Sequence, residues 1–224
     1  MTEALSTIGD LGDVEDIDEE RFVFEDADWA FYKLILKRVG ERRIFVTFDG
    51  ERLEVMSPPP LHERHASRLG QLARLLMLEL RIPFESMGSF TLKQRKAKRG
   101  LEPDRCFYTT NSGAVRGKRT IDLGKDPPPD LAIEIEVSRR LLDRTDVYRR
   151  LGVPEVWCYD GHRLRVLSLE MRTGYKDVTQ SPTFPDLPLG EVHRLLELSW
   201  GMDELEWTTA VQDWIRRHLL PRKP

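Results

Sequence analysis

The sequence predicts a domain that mixes helices and strands, of the α+β or mixed α/β class. Period-two apolar patterns typical of strands precede, flank and follow helical patterns, without the strict alternation that builds a fully parallel sheet. The length of 224 residues suits one large domain, and a content of 40% apolar residues suffices for a core. The sequence contains no internal repeat.

The sequence pattern of the first half of the chain predicts helices on both sides of a hairpin. A helix over 28–39 begins at an Asp cap and ends at Gly40. Strands over 43–48 and 52–56 flank an Asp-Gly turn, and prolines at 58–60 end the sheet. The segment 61–80 carries one apolar stripe at helical spacing. Two strands, over 83–87 and 89–94, then flank Gly88.

The second half predicts further strands and helices. A strand over 101–108 precedes a loop over 109–129 that ends in three prolines. The next predicted elements, in order, are a strand over 130–138, a helix over 141–151 closed by Gly152, a hairpin of strands 155–159 and 163–169, an edge strand over 175–179, and helices over 191–198 and 202–220.

The charge of the chain is unevenly distributed. The net charge is −3, but residues 1–26 contain ten acidic residues and one basic residue, which leaves the remainder at +6. We expect 1–26 to be a flexible, solubilising acidic arm, 27–200 the main domain and 201–224 a C-terminal helix. An arm that screens a polyanion-binding body is the alternative.

Several classes of protein are disfavoured. No apolar run approaches the length of about 18 residues that a membrane span needs, and no signal peptide pattern is present. Cys106 and Cys158 lie in apolar strand patterns without metal-like spacing, which predicts buried core residues in a reducing cytoplasm.

Carboxylates on the strand over 130–138 form the strongest functional signal. Apolar residues occupy the odd positions 131–137, so Glu134 and Glu136 project from the opposite face. Asp104 lies 30 residues before Glu134 in another strand-like run. Carboxylates that meet at strand ends are typical ligands of Mg²⁺ or Mn²⁺, because covered acids repel each other without a cation. The alternative is the solvated face of a half-exposed sheet.

Four segments in this order resemble the Uma-two family of bacterial restriction endonucleases, within the PD-(D/E)XK nuclease superfamily. They are 52–58 (RLEVMSP), 100–108 (GLEPDRCFY), 128–137 (PPDLAIEIEV) and 151–157 (LGVPEVW). The resemblance covers about residues 40–200. It implies a restriction-endonuclease-like core, in which a mixed central sheet is flanked by helices, and a metal-dependent enzyme that hydrolyses DNA phosphodiester bonds.

By motif position, the resemblance implies that Asp104 and Glu134 ligate Mg²⁺ or Mn²⁺, with Glu54 as a third acidic contact. The superfamily pattern has lysine two residues after Glu134, where this chain has Glu136. Glu136 could serve as a second metal ligand or as a base. The missing positive charge could come from Arg144, as a phosphate contact, or from its neighbours at 139–140.

The remaining signals leave alternatives open. The run 93–100 places five basic residues in seven positions, which indicates either a phosphate-contacting loop or a solvated surface. His62 and His65 are expected on the helix surface, with the rim of the active site as the alternative. Duplex DNA is the expected partner. A homodimer through Trp207 and Trp214 is one arrangement, and packing of that helix on its own sheet is the other.

Two rival functions remain beside the nuclease. One is a catalytically degenerate nuclease fold that binds DNA or protein, and the other is a protein–protein module with a purely structural acidic strand. Glu134→Ala separates them, because only a nuclease would lose turnover. Removing a repelling carboxylate could also stabilise the fold.

Overall fold

The computed structural model describes residues 20–40, 42–137, 141–170 and 172–220. Within these ranges the chain forms six helices and eleven strands. The helices are α1 Trp29–Val39, α2 Pro60–Glu79, α3 Ser112–Val115, α4 Arg144–Leu151, α5 Leu189–Glu197 and α6 Glu204–His218. The strands are β1 Glu20–Phe24, β2 Phe45–Phe48, β3 Leu53–Ser57, β4 Glu85–Gly88, β5 Leu92–Gln94, β6 Arg99–Leu101, β7 Arg105–Tyr108, β8 Leu131–Ile135, β9 Glu155–Tyr159, β10 Leu164–Glu170 and β11 Gly174–Val178.

The strands of the described residues form two sheets. The first has the order β1-β3-β2-β6-β5 and is antiparallel throughout. The second has the order β11-β10-β9-β8-β7-β4, in which β8 and β9 run parallel and the other neighbours antiparallel. The second sheet is the mixed sheet expected from the sequence, so the predicted mixed α/β class is confirmed.

The two faces of strand β8 lie in different core clusters. Ile133 and its odd-numbered neighbours pack with apolar residues of α2, α5 and α6. Ala132 packs on the other face, with Val147 and Tyr148 of α4. Period-two alternation therefore directs Glu134, on the same side as Ala132, towards α4.

The helices end largely as their sequences indicate. Asp28 caps α1 by accepting a hydrogen bond from the Phe31 N–H, and Asp143 caps α4 in the same way through Thr145 and Asp146. Gly152 closes α4 in the left-handed conformation, with φ at 77°. The predicted burial of Cys106 and Cys158 in the core is also confirmed.

Two predicted boundaries differ from the structure. Residues 20–24, assigned to the flexible arm, form β1 and pair with β3, whereas 1–19 lie outside the described residues. The predicted strand over 101–108 is interrupted at residues 102–104, because its two ends join different sheets. The apolar face of α6 packs within the chain, where Trp207 is fully buried.

Among the helices of the described residues, none combines the length and the apolar character that a membrane span requires.

Gly100 allows β6 to pass directly over Tyr32. A Cβ atom at this position would lie 2.1 Å from the Tyr32 Oη, and the fully buried Tyr32 ring is stacked on Phe48 and cannot retreat. We expect Gly100→Ala to lower the free energy of unfolding by about 1–3 kcal/mol through overpacking. Urea unfolding followed by tryptophan fluorescence measures this change.

Gly113 provides the matched control, since a Cβ there meets no atom within 4 Å. Gly113→Ala should change the free energy of unfolding by less than about 1 kcal/mol, with stabilisation favoured by helix propensity. Equal stabilities of the two variants would contradict the close packing of β6 on α1.

Candidate active site

Backbone hydrogen bonds join Asp104 to the carboxyl end of β8. The Asp104 N–H donates to the Ile133 carbonyl at 3.1 Å, and the Asp104 Oδ2 accepts from the Ile135 N–H at 2.6 Å. These two bonds lie on either side of Glu134 along the strand. The structure therefore brings Asp104 and Glu134 together, at the point where the strand predicted over 101–108 is interrupted.

Glu134 is buried and forms an ion pair. Its Oε1 accepts a hydrogen bond from the Arg144 Nη2 at 2.7 Å and another from the Tyr148 hydroxyl. Arg144 also donates from Nη1 to the Thr47 Oγ1 at 3.1 Å and from Nη2 to the Glu102 carbonyl. The exposed fractions of Glu134 and Arg144 are only 2% and 4%, so water screens this pair weakly.

The cluster favours a charged Arg144 beside a neutral Tyr148. Burial alone would lower the pKa of Arg144, but Glu134, Tyr148 and Asp104 outweigh it and raise this pKa above its usual value. Burial, and then the charge of Glu134, raises the pKa of Tyr148 well above its usual value. Tyr148 is therefore a hydrogen-bond donor to Glu134 at neutral pH. The Arg144 Nε is buried without a hydrogen-bond partner among the described residues.

The expectation that His62 and His65 lie on the helix surface is wrong. The first turns of α2 pack against the second sheet, and the two side chains are only 1% and 8% exposed. The His62 Nε2 lies 3.5 Å from the Asp104 Oδ2. His65 packs edge-on against Tyr159, and burial lowers its pKa. His62 therefore belongs to the carboxylate cluster, and its spacing from His65 gave no sign of this.

Glu136 lies one residue beyond the end of β8, and its backbone still bonds to β9. Its N–H donates to the Tyr159 carbonyl at 2.7 Å, and its carboxylate accepts from Arg165 at 3.4 Å. Glu136 therefore sits between the ends of β8 and β9, on a partly exposed ion pair with Arg165.

Glu54 has different partners from those expected. Its carboxylate accepts from Arg21 of β1 at 3.1 Å and from the Leu141 N–H at 3.2 Å. Both oxygens thus have protein donors, and Glu54 serves to join β1 and the start of the 141–143 segment to β3. The basic neighbours of Arg144 at 139–140 lie outside the described residues.

A pocket of about 480 Å³ borders the cluster. Its lining includes Arg43, Phe45, Glu102 and Arg105. Glu102 accepts a hydrogen bond from the Thr91 hydroxyl at 2.7 Å, and burial raises the pKa of its carboxyl. Sequence reasoning missed Glu102, Tyr148 and Thr47 as members of this site. Only for Glu102 was there a signal, since it directly precedes the Pro-Asp motif.

The carboxylate oxygens of this site meet part of the coordination requirement of a hard divalent cation. Within the described residues, no three His, Cys, Asp or Glu side chains gather around one point as a complete cage. Mg²⁺ needs only one or two protein carboxylates, because waters and substrate phosphate complete its shell. Asp104 and Glu134 could supply these oxygens, with Arg144 sharing the Glu134 carboxylate. Chemically similar Mn²⁺ suits the same oxygens.

Comparison with known proteins assigns the chain to a family. The family model of Uma2, described as "Putative restriction endonuclease", matches residues 30–201. This match spans most of the chain and includes Asp104, Glu134, Glu136 and Arg144. The chain belongs to the Uma2 family.

A solved structure supports the same fold. The crystal structure of a "putative nuclease belonging to DUF820" from Anabaena variabilis is similar with a TM-score of 0.52 and 14% sequence identity. The similarity covers 74% of this chain and 98% of that protein. At this identity the likeness concerns the fold alone. No curated protein matches the chain.

The ion pair reverses the expectation that removal of the Glu134 charge could stabilise the fold. Loss of either partner leaves the other charge buried, which typically costs about 3–5 kcal/mol. We expect Arg144→Met and Glu134→Gln to destabilise the protein, and the double variant to be less destabilised than the sum of the two. Urea unfolding of all four proteins gives the coupling energy, expected at about 1.5–3 kcal/mol.

Arg165→Met is the matched control, because the Arg165–Glu136 pair is partly exposed. Its removal should cost less than about 1 kcal/mol. Additive effects of Arg144→Met and Glu134→Gln would show that the two buried groups do not interact.

Proposed function

We propose that this chain is a divalent-metal-dependent endonuclease that hydrolyses phosphodiester bonds of DNA. The supporting observation is the joint position of Asp104 and Glu134 at the carboxyl end of β8, with a buried cation beside them. The proposal agrees with the restriction-endonuclease description of the family and with the nuclease description of the Anabaena protein.

Asp104 and Glu134 would hold Mg²⁺ or Mn²⁺ through their carboxylate oxygens. Such a cation polarises a phosphate and lowers the pKa of a bound water. The Ile135 N–H fixes the orientation of the Asp104 carboxylate, and Arg144 with Tyr148 fixes that of Glu134. Fixed carboxylates need no reorganisation when charge develops on the phosphate, which favours catalysis.

Arg144 would supply the positive charge that the motif lysine provides elsewhere in the superfamily. It comes from α4 rather than from β8, and its guanidinium contacts Glu134 directly. The contacts with Glu134, Thr47 and Glu102 place Arg144 inside the protein, so its first role is to position Glu134. An arginine cannot accept the proton of the attacking water. Glu136, which lies just past the strand, remains the candidate for that role or for a second metal ligand.

The pocket beside the cluster offers the approach for a phosphate group. Arg43 and Arg105 contribute positive charge to its lining, and Glu102 connects it to the Asp104 segment. Phe45 also lines the pocket, and its ring lies 6.2 Å from the ring of His62, which contacts Asp104.

One observation favours the degenerate alternative. Arg144 already compensates the charge of Glu134 inside the protein, and both side chains are almost completely buried. A chain that had lost catalysis could retain this pair for stability and act through binding alone. The two candidates differ in their response to metal ions and in turnover.

We expect the wild type to nick or linearise supercoiled plasmid DNA in Mg²⁺ or Mn²⁺, with no cleavage in EDTA. Asp104→Asn and Glu134→Gln should each lower the rate at least about 100-fold, or about 2.7 kcal/mol in transition-state stabilisation. Calorimetric titration with Mn²⁺ should show saturable binding in the wild type that both variants lack.

Asp130→Asn is the matched control, since Asp130 is a buried carboxylate at the opposite end of β8, held by Thr109 and Asn111. It should keep both cleavage and Mn²⁺ binding. A wild type that binds DNA but neither cleaves it nor binds Mn²⁺ would support the degenerate alternative. Full cleavage by Asp104→Asn would contradict the assigned site.

A further inference from the structure

Strands β5 and β6 form a hairpin with a strongly basic loop, which we term the basic hairpin (residues 92–101). The strands pair from Leu92 opposite Leu101 to Gln94 opposite Arg99, and residues 95–98 form the connecting turn. The five basic residues of the segment 92–101 are accompanied by no acidic residue. Leu92 and Leu101 are fully buried, so the core anchors the base of the hairpin.

Four of these cations have exposed side chains. The side chains of Lys93, Arg95, Lys96 and Lys98 are exposed, and none forms an ion pair with a residue of the described ranges. Arg99 differs, because it turns back to Asp146 at 3.5 Å.

Exposed cations elsewhere in the described ranges are of both kinds, paired and unpaired. Those that lie within 4 Å of a carboxylate are Arg43, Arg52, Arg116, Lys118, Arg149, Arg150, Arg165, Lys176, Arg194, Arg216 and Arg217. Unpaired ones include Lys33, Lys37 and Arg38 of α1, but in the basic hairpin four lie within the six positions 93–98. The basic hairpin thus concentrates unpaired positive charge, which repels itself and contributes nothing to packing. An external anion with several regularly spaced charges would remove this repulsion.

Lys98 adds a second, independent feature. Its φ angle is 49°, in the left-handed region that favours glycine. A lysine here projects its charge from the turn in spite of the less favourable backbone conformation.

The basic hairpin leads directly into the candidate active site. Lys96 precedes Asp104 by eight residues, which limits their separation to about 28 Å even for an extended chain. One turn of a DNA duplex spans about 34 Å. The positive charge of Lys93 also acts on Glu102, which lines the pocket beside the carboxylates. A duplex with one phosphodiester at Asp104 would therefore reach the tip of the hairpin.

We propose that the basic hairpin binds the phosphate backbone of duplex DNA within one helical turn of the phosphodiester at Asp104. This inference rests on the proposed function for its choice of partner. The contacts are with phosphates, so they orient the duplex and contribute affinity without sequence preference. Lys93, Arg95, Lys96 and Lys98 are the contacting residues.

Fluorescence anisotropy with a labelled 30-base-pair duplex of arbitrary sequence, in EDTA and at 50–200 mM NaCl, tests the proposal without cleavage. Each lost phosphate contact should reduce the slope of log K against log salt by about 0.9. The triple variant Arg95→Gln, Lys96→Gln, Lys98→Gly should therefore lose about 2.7 units of slope and bind roughly 10²- to 10³-fold more weakly at 0.1 M salt. Lys96→Gln alone should lose about 0.9 units.

The matched control removes three exposed arginines from elements of the other sheet and its helices, through Arg172→Gln, Arg194→Gln and Arg217→Gln. Its slope should differ from the wild-type slope by less than the roughly 0.9 units expected for one lost contact. Thermal unfolding of the triple variant should match that of the wild type, because Lys98→Gly relieves backbone strain. If the triple variant fails to fold, the slope measured for Lys96→Gln alone tests the proposal.

An unchanged slope in the triple variant and in Lys96→Gln would overturn the proposal. So would tighter binding of a 30-nucleotide single-stranded RNA than of the duplex. A wild type that binds through the hairpin but cleaves no DNA in Mg²⁺ or Mn²⁺ supports this inference while the proposed function fails. A wild type that cleaves, with a triple variant that binds equally well, refutes this inference alone.

Discussion

The buried ion pair of Arg144 and Glu134 is the interaction on which the rest of the site depends. Transfer of two charges from water into the interior costs several kcal/mol per ion, and only good geometry with further hydrogen bonds offsets that cost. Arg144 has such bonds to Thr47 of β2 and to the carbonyl of Glu102. One guanidinium thus joins α4 to both sheets and holds Glu134 at the end of β8.

This arrangement changes how the missing motif lysine is understood. The chain has Glu136 where the superfamily pattern has lysine, and a positive charge nevertheless reaches Glu134 from a neighbouring helix. Burial of Arg144 raises the energetic importance of that charge, because water does not screen it. The same burial separates Arg144 from solvent, so the exposed basic hairpin and the arginines of the adjoining pocket are the groups positioned to meet an anion from outside.

Sequence reasoning succeeded where a residue's own element decides the outcome. The period-two pattern around Glu134 identified a strand, Gly152 marked the end of α4, and the cysteines were recognised as core residues. It failed where the opposite layer decides. His62 was expected at a helix surface and is buried beside Asp104, because spacing along α2 does not reveal which face the second sheet covers. The sequence also did not indicate the contact of Arg144 with Glu134, for the same reason.

The sequence by itself determined the mixed class of fold, most of the helices and strands, and the two acids that define the candidate site. These features follow from local periodicity, caps and short motifs, which act over a few residues. Only the tertiary structure decided that Arg144, Tyr148 and His62 surround those acids, that Glu54 bonds to Arg21 instead, and that the chain breaks at Asp104 to join two sheets. Such contacts depend on how separate layers pack. Packing brings together residues that are far apart in the sequence, and local sequence patterns do not reveal these contacts.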